Sequence, residues 1–160
     1  MKNKTKMITN GAMIAAAYVL LTMVARIFGL DSGAIQLRIS EALCILPCFT
    51  PSAIGGLFVG CLLANILAGA VIWDVIFGSI ATLIGALFTY KLRKTPVLAT
   101  IPPIVSNTLI VPLVLAYAYR LDGALWYFML TIGISEILSC GVLGMFLFSA
   151  LSKYKKYLFK

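Results

Sequence analysis

Five acidic residues, Asp31, Glu41, Asp74, Asp122 and Glu136, stand in or beside stretches that are otherwise apolar. Glu41 and Glu136 interrupt runs too hydrophobic for water. A carboxylate at bilayer depth is costly, so it ordinarily faces a cavity or a polar partner, and a ligand or ion site is the default expectation. Arg38 precedes Glu41 by three residues, so the two either pair on one helical face or serve a site. Asp74 follows Trp73, which fits a helix cap beside an interfacial tryptophan as well as a binding role. Asn107 is either interhelical glue or a ligand contact. Glu136, beside Gly133 and Ser135, most needs a partner, and Arg38 or a ligand are the obvious ones.

The missing chemistry is equally informative. The chain has no histidine, which removes the commonest general base and metal ligand. It has no nucleophile elbow, no His-Glu-x-x-His helix and no phosphate-cradling glycine loop. No enzyme activity and no cofactor is expected, and any active transport must draw on an ion gradient or on partner subunits. Cys44, Cys48, Cys61 and Cys140 all lie in apolar runs. Cys44 and Cys48 share a helical face, but small buried hydrophobes are the better reading and no metal site is expected.

Elements must hold these groups in place. The 160 residues are 62% hydrophobic and 11% charged, with a mean hydropathy of +1.06, so the chain reads as an all-α integral membrane protein of one domain, 1–160. Spans of roughly 20 apolar residues fall near 8–28, 34–49, 51–70, 73–90, 97–119 and 124–151. The second is the weakest, with Arg38 and Glu41 inside it and Pro47 interrupting it. Lys2, Lys4 and Lys6 precede a first run as long as a full crossing, so a retained helix is expected in place of a cleaved signal.

With six spans, ten of the 13 Lys+Arg fall on one side: Lys2, Lys4, Lys6, Lys91, Arg93, Lys94, Lys153, Lys155, Lys156 and Lys160. That side, with both termini, is expected to be cytoplasmic. The net charge of +8 is then a topology signal and no nucleic-acid partner is expected. Arg38, Glu41, Trp73, Asp74, Asn107 and Glu136 come from four spans and are reachable from outside or the midplane, which predicts a pocket opening outward. Small residues recur at helical spacing: Gly56, Gly60, Ala64 and Ala68 on the third span, Ala12 and Ala16 on the first. They suit close helix packing or a partner face, and the first span is the better candidate for the latter.

Several motifs are specific. Gln36-Leu37-Arg38-Ile39-Ser40-Glu41-Ala42-Leu43, then Phe49-Thr50-Pro51 and a glycine-rich third span, resembles the QueT family of small bacterial membrane proteins. So do Trp73-Asp74-Val75-Ile76-Phe77-Gly78-Ser79, Ser106-Asn107-Thr108-Leu109-Ile110-Val111 and Gly133-Ile134-Ser135-Glu136, the last with Ser-Glu where the family pattern has Gly-Glu. The resemblance implies a six-helix substrate-binding S component of an energy-coupling factor (ECF) transporter in the bacterial cell membrane. It implies a queuosine precursor as substrate, a 7-deazaguanine base such as preQ0, preQ1 or queuine. Implied partners are a transmembrane coupling subunit, docked through a face resembling Ala12 and Ala16, and two cytoplasmic ATPases. Release would follow tipping of the whole component in the membrane.

Ligand chemistry fits that implication. A carboxylate accepts the ring N–H and exocyclic amine side by side, which suits Glu136. Arg38 or Asn107 can donate to the ring carbonyl. An aminomethyl substituent suits Asp74 or Glu41. Trp73, Phe77, Trp126 and Tyr127 are candidate aromatic faces. Open alternatives are an S component for another vitamin or nucleobase, a self-contained ion-coupled carrier using Glu41, Glu136 and Arg38 as a relay, and a structural membrane protein.

Overall fold

The computed structural model of the chain describes residues 2–30, 37–119 and 123–154. Residues 31–36, with Asp31 and Gln36, and Asp122, Lys155, Lys156 and Lys160 lie outside the described residues. Among the described residues every regular element is helical. In order they are α1 (Lys2–Ile27), a 3₁₀ helix (Ile39–Cys48), α2 (Ser52–Leu67), α3 (Ile72–Lys91), a single turn α4 (Pro96–Ala99), α5 (Ile101–Tyr117), α6 (Leu125–Glu136), a π-helical segment (Ile137–Leu143) and α7 (Gly144–Ser152).

Four continuous stretches among the described residues are long and apolar enough to cross a membrane: Lys4–Ile27, Ile72–Lys91, Pro96–Tyr117 and Leu125–Ser152. At about 1.5 Å per residue each reaches the ~30 Å of a bilayer core. They coincide within a few residues with the first, fourth, fifth and sixth expected spans. Ile39–Cys48 and Ser52–Leu67 stand where the second and third were expected, and both are shorter.

The second segment departs most from an ordinary span. Ser40 through Cys48 are all buried, and the segment touches α1, α2, α3, α7 and the π-helical segment. A 3₁₀ helix rises about 2.0 Å per residue, so ten residues reach about 20 Å. Runs this long are uncommon because the hydrogen bonds are poorer. Departures from regular α-helix are tolerated at membrane depth where protein surrounds the backbone, and that is the situation here. The outer helices follow one another around this centre, α1 along α2, α2 along α3, α3 along α5 and α5 along α6.

Small residues set the closest approach. A Cβ on Gly56 would stand 2.6 Å from the Gly11 carbonyl oxygen, and one on Gly60 2.8 Å from Tyr18 Cβ. The third-span ladder therefore serves packing of α2 on α1. Ala12 and Ala16 are exposed; Ala12 edges a shallow apolar groove shared with Gly55 and Val59 of α2.

Helices α1 and α2 end alike. Gly29 (φ 68°) and Gly69 (φ 69°) adopt the left-handed conformation, with Leu30 N–H bonded to Ala25 O at 2.9 Å and Ala70 N–H to Asn65 O at 3.0 Å. Each is a Schellman stop, which turns the chain sharply and satisfies a terminal carbonyl. These ends, the start of α3 and the end of α5 meet around one polar cavity.

Candidate functional site

That cavity has a volume of about 290 Å³. Tyr18, Thr22 and Arg26 of α1 line one wall, Arg38 just before the 3₁₀ helix and Ser40 within it line another, and Asn65, Asp74 and Tyr119 complete the polar rim. Thr22 Oγ1 donates to Ser40 Oγ at 2.9 Å and tethers the 3₁₀ helix to α1.

Asp74 lies in the first turn of α3 and is 6% exposed. It is not the cap; Val71 holds that position. The Val71 N–H reaches Tyr119 Oη at 3.4 Å, and that hydroxyl donates to Asp74 Oδ2 at 3.1 Å. Tyr119 thus relays between an orphan helix N–H and the carboxylate. Asn65 Nδ2 donates to the Asp74 carbonyl at 3.3 Å.

Beneath the cavity lies a buried cluster. Glu41 is 0% exposed and accepts from the Tyr18 hydroxyl on Oε1. Its Oε2 accepts from Cys44 Sγ at 2.9 Å and Asn107 Nδ2 at 3.5 Å. Residues three apart stack in a 3₁₀ helix, which brings Cys44 over Glu41. Cys140 Sγ lies 3.2 Å from Glu136 Oε2 and 3.3 Å from the Glu41 carbonyl oxygen. Glu136, 3% exposed, ends α6 where the helix widens into the π-helical segment. With Arg38, Val111, Ile132 and Ser135 it lines a void of about 10 Å³, roughly room for one water. Arg38 therefore borders both the polar cavity, beside Asp74, and the void, beside Glu136.

The structure brings five of the expected site residues together: Arg38, Glu41, Asp74, Asn107 and Glu136. Trp73 and Phe77 stack at 6.0 Å and line a separate apolar groove between α3 and α5. Trp126 is 67% exposed and meets Tyr127 edge-on at 6.3 Å.

Sequence reasoning missed Tyr18, Thr22, Ser40, Asn65 and Tyr119. Tyr18, Thr22 and Arg26 recur every four residues, a polar stripe that periodicity alone reveals. Asn65 is an amide in an apolar run, the same signal that Asn107 gives.

All four cysteines are buried. Glu41, Cys44 and Cys140 each offer a ligand atom, all within 4.8 Å of one another. Each of these atoms already has a hydrogen-bonding neighbour, so the thiols act as donors to the carboxylates.

A model of the QueT transporter family matches residues 8–153 of the chain. The queuosine precursor transporter QueT of Lactococcus lactis subsp. cremoris is 37% identical over 83 residues, which is 52% of this chain. The match covers 48% of that relative, so the chain spans about half the length of the curated relative it matches. No solved structure matches the chain.

Proposed function

The chain belongs to the QueT transporter family, and we propose that it is the substrate-capturing S component of an ECF-type importer for a 7-deazaguanine queuosine precursor. The observation that carries this reading is the polar cavity at one end of the bundle, with Asp74 on its wall, Arg38 at its floor and buried Asn107, Glu41 and Glu136 behind. It lies at the C-terminal end of α1, away from the lysines that begin that helix. The two shorter segments count as the second and third crossings, both termini are cytoplasmic, and the cavity opens outward.

The base carries two adjacent N–H donors, which Glu136 accepts as a pair. To reach it the ligand draws Arg38 aside, joining the cavity to the void beside Glu136, and Arg38 then donates to the ring carbonyl. Tyr18 and Tyr119 supply aromatic faces on the cavity wall. Trp73, Phe77 and Trp126 suit the role of interfacial anchors. Hydrolysis of ATP belongs to partner subunits, and release follows reorientation of the whole component in the bacterial cell membrane.

The test is equilibrium binding to the detergent-purified chain alone, titrating the three deazaguanine precursors beside guanine, riboflavin and thiamine. Tight one-to-one binding of a deazaguanine without ATP or partners is expected. Binding of none of them would overturn the reading. Uptake driven by an ion gradient through this chain alone would replace it with the carrier.

A further inference from the structure

We propose that Asp74 is the acceptor for a cationic amine on the ligand, so that the site prefers an aminomethyl-bearing precursor to a nitrile-bearing one. This rests on the precursor reading above and goes further by naming the substituent and its contact. Asp74 is more than nine-tenths buried and lines the outer cavity. Its Oδ2 is taken by Tyr119, while Oδ1 is buried with no hydrogen-bond partner among the described residues. Leaving a buried acceptor without a donor costs stability, and a ligand donor offsets that cost. Gly78 adds no side chain there; a Cβ on it would stand 3.2 Å from that oxygen.

The other carboxylate suited to an amine is Glu41. It is fully buried, and its oxygens already accept from Tyr18, Cys44 and Asn107. Charge points the same way. Arg38 lines the cavity with Asp74 and the void with Glu136, one guanidinium beside two carboxylates. Arg26, also on the cavity wall, is exposed and screened by solvent. An ammonium group adds the cation this layer lacks. A nitrile offers no donor and sets a lone pair against Oδ1.

The experiment is calorimetric titration of 7-aminomethyl- and 7-cyano-7-deazaguanine into the full-length wild type and Asp74→Asn in detergent. Wild type should bind the aminomethyl base more tightly. Asp74→Asn should weaken that ligand by about 30-fold or more, the ratio expected for breaking a buried charge pair, and the nitrile much less. Equal losses for both ligands would overturn the subsite, since Asp74 would then serve the shared ring or the fold. Tighter nitrile binding by wild type would overturn it too. Failure of wild type to bind either base would overturn the subsite, and the precursor reading falls as well only if queuine also fails to bind. Should Asp74→Asn not fold, Tyr119→Phe frees both Asp74 oxygens; it should keep or increase the aminomethyl preference, and loss of that preference counts against the proposal.

Discussion

Glu41 and Glu136 occupy the same buried layer but differ in what they can still accept. Glu41 has donors on both oxygens, from α1, its own helix and α5, so it ties three elements together. Glu41→Gln turns one of those acceptors into a donor that faces other donors. Each buried polar group left unmatched costs about 1–3 kcal/mol, and thermal unfolding in detergent should show a loss of that size. An unchanged melting temperature would mean that the hydrogen-bond network contributes nothing to stability. Glu136 accepts from the Cys140 thiol and borders a void, which leaves room beside this carboxylate for a ligand. Glu136→Gln should weaken precursor binding more than Glu136→Asp, which keeps two acceptors. Equal affinities for wild type and Glu136→Gln would refute the assignment.

At the scale of elements, the α1–α2 contact decides how the rest is held. Tyr18 packs against Gly60 and donates to Glu41 from the same helix, so the spacing of these two helices sets the position of the carboxylate. Gly56→Ala should push α1 away, because its Cβ meets backbone atoms. Overpacking of this kind costs about 1–3 kcal/mol. Gly55→Ala is the control, with nothing within 4 Å of the new Cβ. It should be neutral, or gain the roughly 0.5–1 kcal/mol that alanine holds over glycine in a helix. Chemical or thermal unfolding of the pair separates the two outcomes; equal stabilities would rule out the close contact.

For the whole molecule, the proposed capture and coupling sites occupy different faces. The polar cavity lies where α1, α2, α3 and α5 converge, whereas Ala12 and Ala16 are exposed on the earlier turns of α1. Leucine at both positions should leave ligand affinity unchanged and abolish co-purification with the coupling and ATPase subunits, along with uptake. Intact assembly would exclude this face as the docking surface.

The sequence by itself determined that the chain is a helical membrane protein, where its four long stretches run, and which polar side chains are too costly to be idle. All three follow from the free energy of transferring side chains into lipid, which adds up along the chain and is readable residue by residue. Tertiary structure decided which of those side chains share a cavity. In water a helix shows its inner face by being apolar there, but in lipid the outer face is apolar too, and the stripe fades. Trp73 and Phe77 therefore read as site residues yet point to a separate groove, while Tyr18 and Asn65 went unnoticed on the cavity wall. The 3₁₀ form of Ile39–Cys48 has the same origin: its backbone is shaped by the elements packed around it, and no local sequence rule contains those neighbours.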